Sequence, residues 1–393
     1  MVQLCRILTK ASSAYDRGEG TIWDLHVLVD LLCRPPRGRS GVGRYAQELN
    51  RALRSRGIDS ELIHPQPLPR FLRLLAGLPW HIDLAAFFAS YPLSVSYRPA
   101  SLRHVTAQQL ASSMAVSPAH VITVHDLFPQ DAPPGLGATT ARLFDALGNA
   151  FLRRAQSIIV DSNATKQVLL RRHLALSSHV YLVHLGVNHS VMYPRQFSPS
   201  LWRALGLSLN EPYIVYVGTE APRKRLDLLF FAVGVAKLLY HVKIILVKVG
   251  PAMYPGARER LGKLAQAWQI ENQIIWAGSL SDEELAALYS HAVCYVSTAN
   301  AEGFGLPLVE ALACGCPVLA TDILPHREIC GTAARYVSLD ANGWMWGSAL
   351  CEALANFSDD RAHIARVARE RAARFSWERT ADETLAVYRS IRL

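Results

Sequence analysis

No C-x-x-C pair occurs in this chain, and its seven cysteines in 393 residues are too few, and odd in number, for a disulfide framework. Cys314 and Cys316 flank a single glycine, a poor spacing for zinc. The thiols read as small buried hydrophobes in a reducing compartment. Charged residues are scarce, at 19% against 50% hydrophobic, which excludes a disordered chain, a coiled coil and a collagen-like fibre. An unbroken apolar run of membrane-spanning length is also missing. The nearest stretch, Leu228–Gly250, is interrupted by Lys237, His241, Lys243 and Lys248 and reads as a buried helix followed by a strand. The opening MVQLCRILTK lacks the apolar core of a signal peptide, so the expected location is cytoplasmic. Helix-turn-helix, zinc-finger and RNA-recognition patterns are absent, and no nucleic-acid partner is expected.

What is present is unevenly charged. Residues 1–200 hold 21 Lys/Arg and 12 Asp/Glu, whereas residues 201–393 hold 20 of each. The whole excess of +9 therefore lies in the first half, which points to an anionic partner for that half. Arg34, Arg37, Arg39, Arg44, Arg51, Arg54 and Arg56 form the densest cluster. LPRFLRLLAGLPW, residues 68–80, sets Phe71, Leu72, Leu74, Leu75 and Trp80 beside Arg70 and Arg73. That combination suits an anionic membrane surface, and equally a core helix with a solvated arginine edge.

Along the chain, Val/Ile-rich runs alternate with helix-like stretches. The runs are 25–31, 120–126, 156–162, 179–187, 212–218, 242–250, 273–278, 293–297 and 316–322. They are apolar on both faces, as expected of parallel strands covered by helices. Helices are expected over 139–155, 224–240, 256–270, 281–290 and 344–374. The alternation predicts an α/β fold of two doubly wound, Rossmann-like domains facing a cleft. NHSVMYPRQFSPS, residues 188–200, reads as the linker. The expected division is 1–195, 196–375 and a last helix, 376–393, with Ser376 as its N-cap. Ligands of such sheets bind beyond the carboxyl ends of the strands, so the loops there should carry the chemistry.

Three of those loops stand out. RGRSGVGRYAQELNRAL offers Gly41 and Gly43, whose backbone can approach an anion at a helix start. It is neither G-x-G-x-x-G nor a P-loop. YVGTEAPRKRLDLL ends a strand at Gly218 and Thr219 and places Arg223 and Lys224 at the start of the next helix, a diphosphate site by its charge. AEGFGLPLVEALACGCPVLATD carries Glu302 in a loop with Gly303, Phe304, Gly305 and Leu306. Pro307 sits where a helix begins, and Glu310 falls in its first turns, eight residues after Glu302.

This last segment resembles the E-x7-E signature of retaining glycosyltransferases of family 4, which have the GT-B fold. The VGT…PRK turn, the glycines at 41–43, the HD pair at 125–126, DSNATK at 161–166 and HLGVN at 184–188 match that family in order and approximate spacing. The resemblance runs from about residue 24 onward. It implies that Glu310 binds the ribose of a sugar nucleotide and that Glu302 lies beside the donor sugar. Arg223 and Lys224 would neutralise the departing diphosphate, in place of the metal some other transferases use, so no metal or cofactor is expected. Backbone amides of 303–306 and 41–43 would hold sugar and phosphates, and His125 would lie near the sugar and acceptor. Asn188 stands where the family often has Asp, and Arg225 where Asn is common. The turn VGT-x-x-PRK with HDLFP upstream is similar to bacterial O-antigen and exopolysaccharide enzymes, many of them mannosyltransferases.

The resemblance thus implies transfer of a sugar, with GDP-mannose the favoured donor, to a saccharide or lipid-linked hydroxyl in cell-surface polysaccharide synthesis. The basic first half fits an anionic acceptor, with peripheral attachment at the inner face of the plasma membrane. UDP-sugar donors, a sugar-nucleotide epimerase and a noncatalytic sugar-nucleotide-binding relative are the alternatives.

Overall fold

The computed structural model describes residues 28–33, 41–64, 102–108, 120–127, 152–208, 211–252 and 256–391. Arg34, Arg37, Arg39, residues 68–80 and most of the expected helix 139–155 lie outside them.

Two six-stranded parallel sheets organise the chain. The first contains β1 (Val29–Leu32), β2 (Ser60–Ile63), β3 (Leu102–Val105), β4 (Val121–Val124), β5 (Ser157–Val160) and β6 (Val180–Leu182), in the order β2-β1-β3-β4-β5-β6. The second contains β7 (Tyr213–Val217), β8 (Ile245–Val249), β9 (Ile274–Gly278), β10 (Cys294–Ser297), β11 (Val318–Thr321) and β12 (Ala334–Val337), in the order β12-β11-β10-β7-β8-β9. Strands β1, β4, β5, β8, β10 and β11 are buried at every position, as expected of largely apolar strands covered on both faces. Three strands escape the sequence pattern. β2 and β12 are short edge strands with polar residues, and β3 (LRHV) buries Arg103 and His104 where an apolar run is expected.

Among the described residues the helices are α1 (Gly41–Arg54), α2 (Asn163–Arg172), α3 (Pro199–Leu205), α4 (Leu226–Tyr240), α5 (Ala257–Ala267), α6 (Asp282–His291), α7 (Leu306–Ala313), α8 (Leu324–Cys330), α9 (Gly343–Asp359), α10 (Arg361–Ala372) and α11 (Trp377–Arg389). The single helix expected over 344–374 is two, broken at Asp360. Leu228–Gly250 divides into α4 and β8, and among the described residues no helix is long and apolar enough to cross a membrane. Ser162 caps α2 by accepting from the Thr165 amide. Ser281 and Glu284 form a reciprocal capping box on α6.

The chain crosses between the sheets twice. Val187 pairs with Ser376 at the crossing, and a Cβ on Gly186 would lie 2.2 Å from the Trp377 amide nitrogen. Beyond it, α11 packs on α1 of the first half. Tyr388 lies 2.7 Å from His104 Nδ1, and the Arg56 guanidinium meets the Asp382 carboxylate. Trp377, Leu385 and Tyr388 are buried there.

Candidate active site

Strand order in the second sheet reverses between β7 and β10, so the loops after these two strands diverge from a common crevice. After β7 the chain makes a 3₁₀ turn, Pro222–Lys224, and α4 begins only at Leu226. Arg223 and Lys224 therefore precede the helix rather than start it. Arg225, at φ 49°, reverses the chain between them and α4. Thr298, just beyond β10, fixes this turn by donating to the carbonyls of Lys224 and Arg225, both at 2.9 Å. The Asn300 amide donates to the Arg223 carbonyl at 2.9 Å.

The two cations turn back onto the loop after β10. Arg223 Nη1 lies 3.2 Å from Glu302 Oε2 and 3.0 Å from the Ala301 carbonyl, and Lys224 Nζ pairs with the same carboxylate oxygen. All three side chains are more than four-fifths buried. Burial raises the Glu302 carboxyl, but Lys224 and Arg223 together outweigh it, and its pKa falls below the ordinary value. His326 is held neutral by burial, with its pKa lowered to about 4, and donates from Nδ1 to the Thr321 carbonyl 2.8 Å away. A cavity of about 170 Å³ opens above Glu302, walled by Leu127, Thr165 and Val168 from the first half and by Ile323 and Pro325 from the second.

Gly303 brings the halves together. A Cβ there would lie 2.1 Å from the His125 carbonyl oxygen, so only glycine permits this approach. Gly305, at φ 98°, precedes α7 in a left-handed conformation. Phe304 is buried against His184 and Phe375, and Leu306 lies 3.6 Å from where a Cβ on Gly41 would be. Gly41 and Gly43 lie inside the first turn of α1 rather than in a loop. Gly218 closes β7 at φ 151°, and Tyr216 donates to the Thr219 carbonyl at 3.0 Å. The glycines among these positions offer a ligand only their backbone.

The His125 ring is engaged within the first half. Nδ1 lies 3.0 Å from Asp161 Oδ2 and Nε2 lies 3.0 Å from the Thr106 carbonyl. Nε2–H donates to the Thr106 carbonyl, and Asp161, whose own pKa burial raises, shares a proton with Nδ1. Burial opposes charge on the ring, but Asp161 and the Thr106 carbonyl prevail and raise the pKa. Tyr45 meets the ring edge-on at 4.9 Å.

Glu310, in α7, is 5% exposed and accepts from Arg44 Nη1 at 2.6 Å. The other arm of Arg44 reaches Asp282 Oδ1, also at 2.6 Å. A second contact between the halves is centred on Glu328 of α8. It accepts from the Asn163 amide at 2.9 Å and Asn163 Nδ2 at 2.9 Å, and lies 2.7 Å from His184 Nε2. Sequence reasoning placed Arg44 only in a basic cluster and did not single out Asp161, Asp282, Thr298 or Glu328. Among the described residues no three His, Cys, Asp or Glu side chains converge as metal ligands.

Two Rossmann-like sheets, with a charged crevice at the strand-order reversal and halves that meet across it, define the GT-B architecture. Residues 39–191 match the family model Glycosyltransferase Family 4, and residues 200–371 match Glycosyl transferases group 1. The chain is a GT-B, glycosyltransferase family 4-like protein. It is 34% identical over 242 residues to a D-inositol 3-phosphate glycosyltransferase of Mycobacterium marinum, covering 60% of this chain and 50% of that protein. The corresponding Mycobacterium bovis protein is 31% identical over 238 residues, covering 60% and 48%. The chain thus spans about half the length of the curated relatives it matches. Among solved structures it resembles sucrose-phosphate synthase from Thermosynechococcus elongatus, with a TM-score of 0.72, 21% identity and coverage of 92% and 98%. WaaG, a glycosyltransferase involved in lipopolysaccharide biosynthesis, gives a TM-score of 0.71 at 17% identity, covering 91% and 98%. Anabaena HepE in complex with UDP-glucose gives 0.69 at 17%, covering 93% and 100%.

Proposed function

We propose that the chain transfers a sugar from a nucleoside diphosphate sugar to an acceptor hydroxyl, with retention of anomeric configuration. One observation carries the reading: Arg223 and Lys224 converge with Glu302 at the strand-order reversal of the second sheet. As the bond from the sugar to the diphosphate lengthens, negative charge builds on the leaving phosphate and the sugar becomes oxocarbenium-like. Arg223 and Lys224 stabilise that charge from a buried, preorganised position. The acceptor oxygen bonds to the anomeric carbon on the face the phosphate leaves, and its proton passes to a leaving phosphate oxygen. Glu302 lies beside the sugar, Glu310 takes the ribose hydroxyls, and backbone amides of 41–43, 218–219 and 303–306 hold the phosphates and sugar. His125 acts near the sugar and acceptor, with its carbonyl at Gly303 and its ring held by Asp161. In this reading residues 1–195 hold the acceptor, 196–375 hold the donor, and 376–393 tie the two together. The Arg223–Lys224 pair does the work a metal does in some other transferases.

GDP-mannose is the favoured donor on the resemblance of the VGT-x-x-PRK turn to O-antigen enzymes. UDP sugars form the second reading, supported by a structural neighbour that is known with UDP-glucose bound. The acceptor is an anionic saccharide or lipid-linked hydroxyl of cell-surface polysaccharide synthesis, met at the inner membrane face. The arginine surplus of the first half supports this, as do relatives whose named acceptor is an inositol phosphate.

Calorimetric binding of GDP, UDP and ADP without added metal, to the wild type and to Arg223→Ala/Lys224→Ala, tests the reading. Selective GDP binding that the double variant loses supports the mannose donor. Preference for UDP replaces mannose and keeps the mechanism. Binding indifferent to the substitutions removes the diphosphate assignment.

A further inference from the structure

We propose that Arg44 is a latch that occupies the Glu310 carboxylate while the donor site is empty and yields it to the ribose hydroxyls of an incoming nucleotide. The inference rests on Glu310 as the ribose ligand.

Arg44 belongs to α1 in the first half, yet its fork ends on two carboxylates of the second. Nη1 lies 2.6 Å from Glu310 Oε1 and Nη2 lies 2.6 Å from Asp282 Oδ1. The Glu310 side chain is only 6% exposed, packed in a helix otherwise made of Leu, Pro, Val and Ala. Removing a carboxylate from water this far is costly without a cation or donors on it. The guanidinium supplies N–H donors to it, and a ribose presents O–H donors to the same acceptor. The two are chemically interchangeable at Glu310, and with the guanidinium in place the carboxylate is covered.

The surroundings leave no space for both. The cavity bounded by Arg44, Asn188, Asp282, Glu310 and Trp377 has a volume of about 10 Å³, no more than one water molecule needs. A nucleotide pocket takes roughly 300 Å³ or more. Ribose can reach Glu310 only when the Arg44 guanidinium swings off that carboxylate. The guanidinium does not lose its charge within the physiological range, so pH does not release the latch and a competing donor must. Asp282 makes that release easier. It is 34% exposed, and it retains one arm of Arg44 when the other leaves Glu310, so the cation is not stranded.

The test compares UDP and GDP with their 2′,3′-dideoxy counterparts by calorimetry, on the full chain and on Arg44→Gln. Gln keeps the stem and loses the cation. The competition should cost the wild type a fixed fraction of its ribonucleotide affinity, so Arg44→Gln should bind the ribonucleotide about tenfold more tightly. Its dideoxy binding should be unchanged. Arg44→Lys, which keeps the charge without the fork, should fall between and guards against misfolding of the Gln variant. An equal gain for both kinds of nucleotide would make Arg44 a steric gate and overturn competition at Glu310. Weaker ribonucleotide binding by Arg44→Gln would overturn it as well, because Arg44 would then be a donor ligand. Glu310→Gln separates this from the reading it rests on. If wild type prefers ribo over dideoxy nucleotide and Glu310→Gln keeps that preference, ribose binds elsewhere and both readings fall.

Discussion

The two halves share a topology and divide the electrostatics differently. In the second half, opposite charges meet locally: Arg223 and Lys224 answer Glu302 across adjacent loops of one sheet. The pair Lys248–Glu220, both fully buried and 2.9 Å apart, repeats the pattern on the same sheet. The first half buries its titratable groups in a separate network, His125 with Asp161 and His104 with Thr123 and Tyr388. Among the described residues, it sends to the second half the cation Arg44 and the backbone carbonyl of His125. A half that balances its own charges can hold a preorganised site with no ligand present. A half with unbalanced cations has charge to spare for a partner or for the opposite wall. This matches the neutral and +9 balances of the two halves of the sequence.

The sharpest way to break the comparison is to unbalance the second half. Lys224→Ala should lower kcat by about 10²–10³, as loss of one preorganised donor to a developing anion does, with a smaller change in donor KM. Steady-state kinetics at saturating donor decide it, and an unchanged kcat would show that the charge on the leaving group is met elsewhere. Next comes the meeting point of the halves. Gly303→Ala puts a methyl 2.1 Å from the His125 carbonyl, so the loops must part. A loss of about 1–3 kcal/mol is expected from such overpacking, read from urea unfolding, together with reduced turnover.

The first half's own network is tested by pH. The His125 pKa is raised in the folded state, so its contribution is fully present below the unfolded value of about 6.5 and is lost as pH rises through the folded value. Asp161→Asn removes the carboxylate that holds the charge. The gap in urea midpoint between wild type and this variant should therefore be wide near pH 6 and narrow toward pH 9. A gap that widens with pH would mean the ring is neutral in the fold. The smallest effect concerns Arg225, whose positive φ a residue with a Cβ resists. Arg225→Asn, a residue that tolerates this region, should raise stability by about 1 kcal/mol with turnover kept.

Much of the second half was legible because its signals are local. Val/Ile runs marked β7, β8, β9, β10 and β11, and glycine, proline and charge within a few residues marked the 218–224 and 302–310 loops. The start of α4 was misplaced by two residues because Arg225 adopts a conformation that only the packed turn enforces. β3 went unseen because Arg103 and His104 interrupt its apolar pattern, and their burial depends on partners far along the chain, such as Tyr388 on His104. Lys248 looked like a break in an apolar run. It is a fully buried strand residue whose carboxylate partner lies 28 positions earlier.

The sequence alone determined the parallel α/β architecture and the identity of the charged groups, since strand burial, turn chemistry and helix starts are decided by near neighbours. Which groups touch was left to the tertiary structure. Arg44 is separated from Glu310 by 266 residues and Asn163 from Glu328 by 165, and no local pattern encodes such pairs. They exist because two sheets, each folded by its own residues, close on one another and bring opposite charges within hydrogen-bonding distance.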